Sequence, residues 1–172
     1  MPPLDSGWYD KLQVGAVTSE KEGLASVNIF FDLDYTLLAI DGSLRPGVKE
    51  LFQRLVEEGH DIYIWSGLGV RWGEVRRHGL DAYVKGVFDK PLHDFGALVK
   101  AWHQRGDLPI LPDLVVDDYP EIVTALGGVL ARPYFFVNPG DREMERIYQI
   151  IQEYSSNGHS PDAAFRPRPP SG

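Results

Sequence analysis

Two aspartates at the end of an apolar segment are the residues of this sequence best suited to chemistry. Asp32 and Asp34 follow Phe30-Phe31, and Thr36 lies two residues further on. Residues i and i+2 of a strand point to the same face, so both carboxylates can be directed at one point. Because like charges repel at short range, such a pair favours a bound divalent cation. One carboxylate would then act as ligand and nucleophile, which leaves the other for proton transfer.

The segments around this pair alternate between strand-like and helix-like patterns. Apolar runs predict strands at residues 27–32, 61–65, 82–88, 114–116 and 128–130. Helical spacing of apolar residues, with Pro and Gly at several boundaries, predicts helices at residues 46–59, 70–78, 91–104, 121–126 and 142–154. This alternation predicts an α/β fold, a three-layer Rossmann-like domain with a mainly parallel five-stranded sheet.

The ends of the chain differ in composition from this domain, which is predicted to span residues 27–154. Residues 1–26 are polar and weakly patterned, and we interpret them as an extension with an edge strand near residues 12–17. Residues 155–172 are rich in Ser, Pro, Gly and Arg, which predicts a flexible tail.

Further polar residues follow the other predicted strands. Ser66 ends the second strand, Lys90 follows the third, and Asp117-Asp118 end the fourth. Ligands of such sheets bind outside the carboxyl ends of the strands, so these residues are expected to share one site with Asp32. Ser66 and Lys90 are donors suited to phosphoryl oxygens, whereas carboxylates are hard ligands suited to Mg²⁺.

The four segments together resemble the haloacid dehalogenase (HAD) superfamily of phosphohydrolases. Asp32-Leu33-Asp34-Tyr35-Thr36 matches the first motif of that family, and Ser66 matches the second. Lys90 matches the third motif, and Asp117-Asp118 matches the acidic fourth. A lone Ser or Lys is not specific, but all four motifs occur in the right order at plausible strand ends. The resemblance covers residues 27–138.

The resemblance implies a Mg²⁺-dependent phosphomonoester hydrolase that acts through an aspartyl-phosphate. Asp32 would attack phosphorus. Asp34 would protonate the leaving oxygen and then activate water. Ser66 and Lys90 would bind the transferring phosphoryl group, and Thr36 would hold the turn.

The same resemblance implies the metal ligands. Asp117 would bind Mg²⁺ beside the Asp32 carboxylate and the Asp34 backbone carbonyl, and Asp118 would act through a water or orient Lys90. Mg²⁺ is thus the expected cofactor, and a phosphorylated small molecule or macromolecule is the expected substrate.

Substrate recognition is predicted from the residues next to the motifs. Thr36, Tyr35, Gly67 and Arg71 are the candidates for contact with the substrate. Many members of the family carry glycine at the position of Tyr35, so this aromatic residue bears on substrate choice. The short intervals after Thr36 and Ser66 leave no room for a cap domain, which predicts an open site. A homo-oligomer, in which a second copy of the chain covers this site, is one expectation.

Composition limits the remaining possibilities. The net charge of −8 gives no indication of a nucleic-acid partner, and no apolar run has the length of a membrane span. The absence of cysteine excludes thiolate chemistry, and together with the lack of a secretory signal it favours the cytoplasm.

Other interpretations stay open at this point. The Asp-x-Asp segment alone could be a turn or helix cap, and Arg71 could belong to a solvated basic helix face. The alternative functions are a phosphorylatable receiver-like signalling module and an inactive HAD-like binding protein.

Overall fold

A single sheet organises the molecule. The computed structural model describes residues 25–171 of the 172-residue chain. The strands are β1 Asn28–Asp32, β2 Asp61–Ser66, β3 Val84–Asp89, β4 Leu114–Asp117, β5 Gly128–Leu130 and β6 Phe165–Arg166. Their order is β3-β2-β1-β4-β5-β6. β1 to β5 pair in parallel, and β6 pairs antiparallel with β5. The prediction of an α/β fold with a mainly parallel sheet is therefore confirmed.

Helices cover both faces of this sheet. They are α1 Val48–Glu57, α2 Trp72–Arg77, α3 Phe95–Arg105, α4 Pro120–Leu126 and α5 Glu143–Asn157. Buried residues of α1, α2 and α5 belong to one apolar cluster, and those of α3 and α4 belong to a second cluster. The result is a three-layer arrangement compatible with a Rossmann-like fold.

Strand β1 runs through the middle of the sheet between β2 and β4. Phe31 faces α1, where its ring lies 4.8 Å from the ring of Phe52. Phe30 faces the opposite layer, where it meets Trp65 edge-on at 4.9 Å. Because successive side chains of a strand alternate between faces, this one apolar run serves both halves of the core. Asp32 is the last residue of β1 and follows these two core residues.

The chain after β1 makes a small hairpin before α1. Leu38 forms an antiparallel bridge with Leu44. The Ala39 N–H donates to the Ser43 carbonyl at 2.9 Å across the turn. His78, after α2, lies with Nε2 2.9 Å from the Gly42 carbonyl. The connection is thus a short, anchored turn, as the interval in the sequence predicts.

The sheet has six strands, so the prediction of five was wrong. The sixth comes from residues predicted to form a flexible tail, and α5 also extends three residues beyond its predicted end at Tyr154. Phe165 is 7% exposed and packs beside the rings of Tyr154 and His159. Packing of this aromatic residue helps to hold the segment on the sheet, where it covers the edge of β5.

Two further expectations concern the N-terminal extension and membrane-spanning helices. The predicted edge strand near residues 12–17 lies outside the described residues. Within residues 25–171, no helix combines the length and apolar character needed to cross a membrane.

Candidate functional site

Residues from four strand ends meet at one edge of the sheet. Asp32 ends β1, Ser66 ends β2 and Asp117 ends β4, whereas Lys90 directly follows β3. All four line one cavity of about 500 Å³. The parallel pairing explains this, because it places the carboxyl ends of neighbouring strands side by side.

Three carboxylates dominate the floor of this cavity, and we call them the acidic site cluster: Asp32, Asp117 and Asp118. Each offers an oxygen, and these oxygens lie within 4.8 Å of one another. The Lys90 ammonium donates to Asp32 Oδ1 at 2.7 Å and to Asp117 Oδ2 at 2.9 Å. Asp32 and Asp117 are 5% and 0% exposed. The three carboxylates of the cluster are therefore opposed by one ammonium group, that of Lys90.

The Thr36 hydroxyl connects two members of the acidic site cluster. Its Oγ1 lies 3.0 Å from Asp32 Oδ2 and 3.3 Å from Asp118 Oδ1. Because a hydroxyl carries a single proton, it donates to one of these carboxylates at a time. Thr36 is fully buried, so this hydrogen bond fixes the orientation of the Asp32 carboxylate.

The charge imbalance changes the acidity of the buried groups. Burial, together with the neighbouring Asp117 carboxylate, raises the pKa of Asp32 to about 8 despite the opposing effect of Lys90. Burial likewise raises the pKa of Asp117. For Lys90, burial lowers the pKa, but the attraction of Asp32 and Asp117 outweighs it and the pKa is raised. Without an added cation, the acidic site cluster thus favours taking up a proton.

Asp34 lies beside the cluster and has a different partner. It lines the cavity, and its carboxylate forms a close ion pair with the Arg71 guanidinium. The side chains of Asp34 and Arg71 are 32% and 20% exposed. The sequence analysis selected Arg71 as a candidate for substrate contact, but it missed this ion pair between residues 37 positions apart. Metal ligation by the Asp34 backbone carbonyl stays a prediction.

Ser66 closes the loop that follows β2. Its Oγ accepts a hydrogen bond from the Leu68 N–H at 3.1 Å, and its carbonyl accepts one from the Lys90 N–H at 3.0 Å. Ser66 is 2% exposed. Ser66 therefore stabilises the turn that follows β2. It does not cap α2, because that helix begins only at Trp72.

Tyr35 adopts a backbone conformation that is unusual for its residue type. Its φ angle is 64°, in the left-handed region. The Tyr35 N–H donates to the Leu38 carbonyl at 2.8 Å, and the Tyr35 carbonyl accepts from the Tyr134 N–H at 2.7 Å. These hydrogen bonds on both sides of the residue hold it in a conformation that a side chain disfavours. Its side chain, together with Gly67, lines the cavity.

Apolar side chains that the sequence analysis did not select also line the cavity. Leu68 and Leu92 are 79% and 71% exposed, and Tyr119 is 50% exposed. Phe95 lies 6.2 Å from Tyr119, ring to ring. These residues directly follow or lie near Ser66, Lys90 and Asp118 in the chain. Their proximity to the motifs is the feature of the sequence that could have identified them.

The donor set of the acidic site cluster fits a small divalent cation. All three residues offer carboxylate oxygens, the ligands that Mg²⁺ prefers, and their combined charge exceeds that of Lys90.

Neither the protein-family models nor the curated proteins compared with this chain contain a match to it.

Proposed function

We propose that this chain is a Mg²⁺-dependent phosphomonoester hydrolase of the HAD type, working through an aspartyl-phosphate. The observation that carries the proposal is the geometry at Asp32. One of its oxygens is held by Lys90 and the other by Thr36, and the carboxylate lines the cavity beside two further carboxylates. A carboxylate fixed in this way is an oriented nucleophile, because little freedom remains to be lost when it attacks.

The first step forms a bond between an Asp32 oxygen and phosphorus and breaks the bond from phosphorus to the alcohol. Asp34 supplies the proton that the leaving oxygen needs. In the second step Asp34 accepts a proton from water, which attacks phosphorus and releases Asp32 and inorganic phosphate. Asp34 suits both roles because it is partly exposed at the cavity, unlike the buried Asp32.

Two donors of the site support the proposal, because each can meet an oxygen of the transferring phosphoryl group. The Lys90 ammonium lies within hydrogen-bond distance of Asp32 and can meet an oxygen of a group bound there. Ser66 accepts from Leu68 through Oγ, so its own hydroxyl proton can be donated to another phosphoryl oxygen. Such donors stabilise charge that develops in the transition state.

The acidic site cluster would hold the Mg²⁺ through the carboxylates of Asp32, Asp117 and Asp118. When bound, the ion would offset the repulsion between these carboxylates and an incoming phosphate and would polarise the phosphoryl group.

The order of the strands favours a hydrolase over a receiver-like module. Receivers have the order 2-1-3-4-5 and place the phosphoacceptor after the third strand. This chain has the order 3-2-1-4-5, and its acidic pair follows β4. An inactive relative has less support, since every proposed catalytic group is present and lines the same cavity.

The test compares turnover of phosphate esters by the wild type and by Asp32→Asn, with Mg²⁺ and with a chelator. Wild-type turnover is expected to require Mg²⁺, and the variant is expected to lose about 10⁴-fold or more in kcat, as for other nucleophiles. Asp81→Asn removes an exposed carboxylate elsewhere and serves as the matched control. Undiminished turnover by Asp32→Asn, with the fold intact by circular dichroism, would rule out the nucleophile.

A further inference from the structure

The mouth of the catalytic cavity carries a ring of apolar side chains, which we call the apolar collar. Its members are Tyr35, Leu68, Leu92, Phe95 and Tyr119. Exposed leucines normally occur singly on a protein surface, and a group of large apolar side chains around a cavity marks a binding site. The carboxylates of Asp32 and Asp117 in the same cavity are buried, whereas the side chains of Leu68 and Leu92 are exposed. The apolar side chains of the cavity therefore lie nearer the solvent than the charged ones.

From this division we propose that the collar is the subsite for the leaving alcohol, and that the enzyme prefers phosphate monoesters whose alcohol carries an apolar ring or branched chain next to the ester oxygen. This inference rests on the proposed function, because it assigns the substrate class of the same site.

Tyr35 gives the strongest support for the collar as the subsite for the leaving alcohol. Its ring lines the cavity and packs against Phe135 with the ring centroids 5.0 Å apart. The backbone accepts a left-handed φ of 64° to place that ring there. Glycine would occupy this conformation without strain, so the protein keeps an aromatic side chain at a conformational cost.

Leu92 is held over the opposite side of the cavity. A Cβ atom built on Gly67 would lie 2.6 Å from Leu92 Cδ2, so the glycine provides the space in which this leucine lies. Phe95 and Tyr119 line the same cavity, with their rings at 76°. The collar is therefore built from four loops and the start of α3, all directly connected to catalytic segments.

The polar groups of the cavity favour an apolar alcohol over a sugar. Ser66, Lys90 and the acidic site cluster lie at the phosphoryl end, and Asp34 is paired with Arg71. The collar itself offers two tyrosine hydroxyls as polar groups. A polyhydroxylated alcohol would lose water from several hydroxyls there with few protein partners in return, which disfavours its binding.

The test uses esters of primary alcohols, so that the leaving groups have similar reactivity. Benzyl phosphate is compared with ribose 5-phosphate in Mg²⁺, with the ratio of their kcat/KM values as readout. Wild type is expected to prefer benzyl phosphate by about tenfold or more, since a partly buried ring contributes roughly this factor.

Tyr35→Gly removes the ring and relieves the strain, and Leu92→Asn replaces an apolar side chain by a polar one of similar size. Each is expected to reduce the ratio at least about threefold. Leu111→Asn changes an exposed leucine that lines a different cavity and is expected to preserve the ratio.

A binding measurement separates this inference from the proposed function. Benzylphosphonate and methylphosphonate, which lack the ester bond, are titrated calorimetrically into the Mg²⁺-loaded protein. Tighter binding of benzylphosphonate, weakened by Tyr35→Gly, supports the collar even if no ester is hydrolysed, in which case the proposed hydrolase activity fails alone. Hydrolysis with equal preference for both esters, or equal binding of both phosphonates, overturns the collar while leaving the hydrolase in place. Tyr35→Gly that folds and retains the full wild-type preference would also overturn it.

Discussion

Two regions of buried charge within residues 25–171 are balanced in opposite ways. The acidic site cluster sets three carboxylates against Lys90. A second region, the Arg45 cluster, sets two carboxylates against two guanidinium groups and consists of Arg45, Asp141, Glu143 and Arg146. Arg45 is 2% exposed, and its guanidinium contacts both oxygens of Asp141 and lies 4.0 Å from Glu143. One region thus has an excess of negative charge, whereas the other pairs its carboxylates with cations.

The Arg45 guanidinium makes four hydrogen bonds. Besides Asp141, the guanidinium donates to the carbonyls of Arg132 at 2.7 Å and Thr36 at 3.2 Å. The ring of Tyr134 lies 4.9 Å from its central carbon. A planar guanidinium matches such a set of acceptors better than an ammonium does. The difference agrees with the proposed function, in which the Arg45 cluster serves the fold, whereas the unbalanced acids are proposed to bind a cation and to act in catalysis.

Thr36 connects the two regions. Its carbonyl accepts from Arg45, and its hydroxyl contacts Asp32 and Asp118. The Arg45 cluster therefore anchors the loop that orients Asp32, the proposed nucleophile. A cluster of repelling charges can persist because a hydrogen-bonded neighbour fixes its geometry.

Removing Arg45 is expected to have the largest effect on stability. Arg45→Met leaves Asp141 and Glu143 without their buried guanidinium partner, which should lower the free energy of unfolding by about 3–5 kcal/mol. Urea unfolding followed by circular dichroism measures this change. Arg105→Met removes an arginine from an exposed ion pair with Asp107 and should change it by less than about 1 kcal/mol. Equal effects of the two substitutions would show that the Arg45 cluster has no special structural role.

The acidic site cluster should make the metal-free protein less stable as the pH rises. The folded-state pKa of Asp32 is raised to about 8, mainly by burial, so its stabilising contribution is complete below about pH 4 and is lost as the pH increases toward 8. In a chelator, the ionisation of Asp32 is expected to lower the free energy of unfolding by about 3–4 kcal/mol from pH 5 to pH 8. Urea midpoints measured across this range test the direction.

Mg²⁺ and Asp118→Asn provide the controls for this pH dependence. Mg²⁺ should remove most of the loss, because it binds the ionised carboxylates of the folded protein. Asp118 adds to the upward shift of the Asp32 pKa by repulsion, so Asp118→Asn should be less pH-dependent without metal and should gain less from Mg²⁺. Stability that increases with pH in the chelator would contradict the assignment of excess negative charge.

The two regions also differ in how far the sequence predicts them. Asp32, Lys90 and Asp117 occupy strand ends, and the periodicity of the sequence locates those ends. Arg45 and Asp141 are 96 positions apart and carry no local pattern, so their pairing depends on how α1 and α5 pack. The contact between Arg71 and Asp34 was missed for the same reason.

Strand β6 escaped the sequence analysis because it is short. It has two residues, Phe165 and Arg166, and its composition resembles a linker. Short antiparallel edge strands of this kind depend on a tertiary contact, here the packing of Phe165, and carry too few residues for alternation to be visible.

The exposed end of the Arg45 cluster should show the smallest effect and a pH dependence of opposite sign. Arg146 contacts Glu143 and donates to Asp162 at 2.7 and 3.1 Å, which connects α5 to the turn before β6. Its hydrogen bonds hold the pKa of Asp162 below the usual range. The contribution of Asp162 is therefore present above about pH 4 and is lost as the pH falls further. Asp162→Asn should reduce the free energy of unfolding by about 0.5 kcal/mol at pH 7, because the pair is partly solvated. Urea unfolding at pH 7 and pH 3 should show the difference from wild type shrinking toward zero at the lower pH. A difference that grows on acidification would mean that a contact other than this ion pair secures β6.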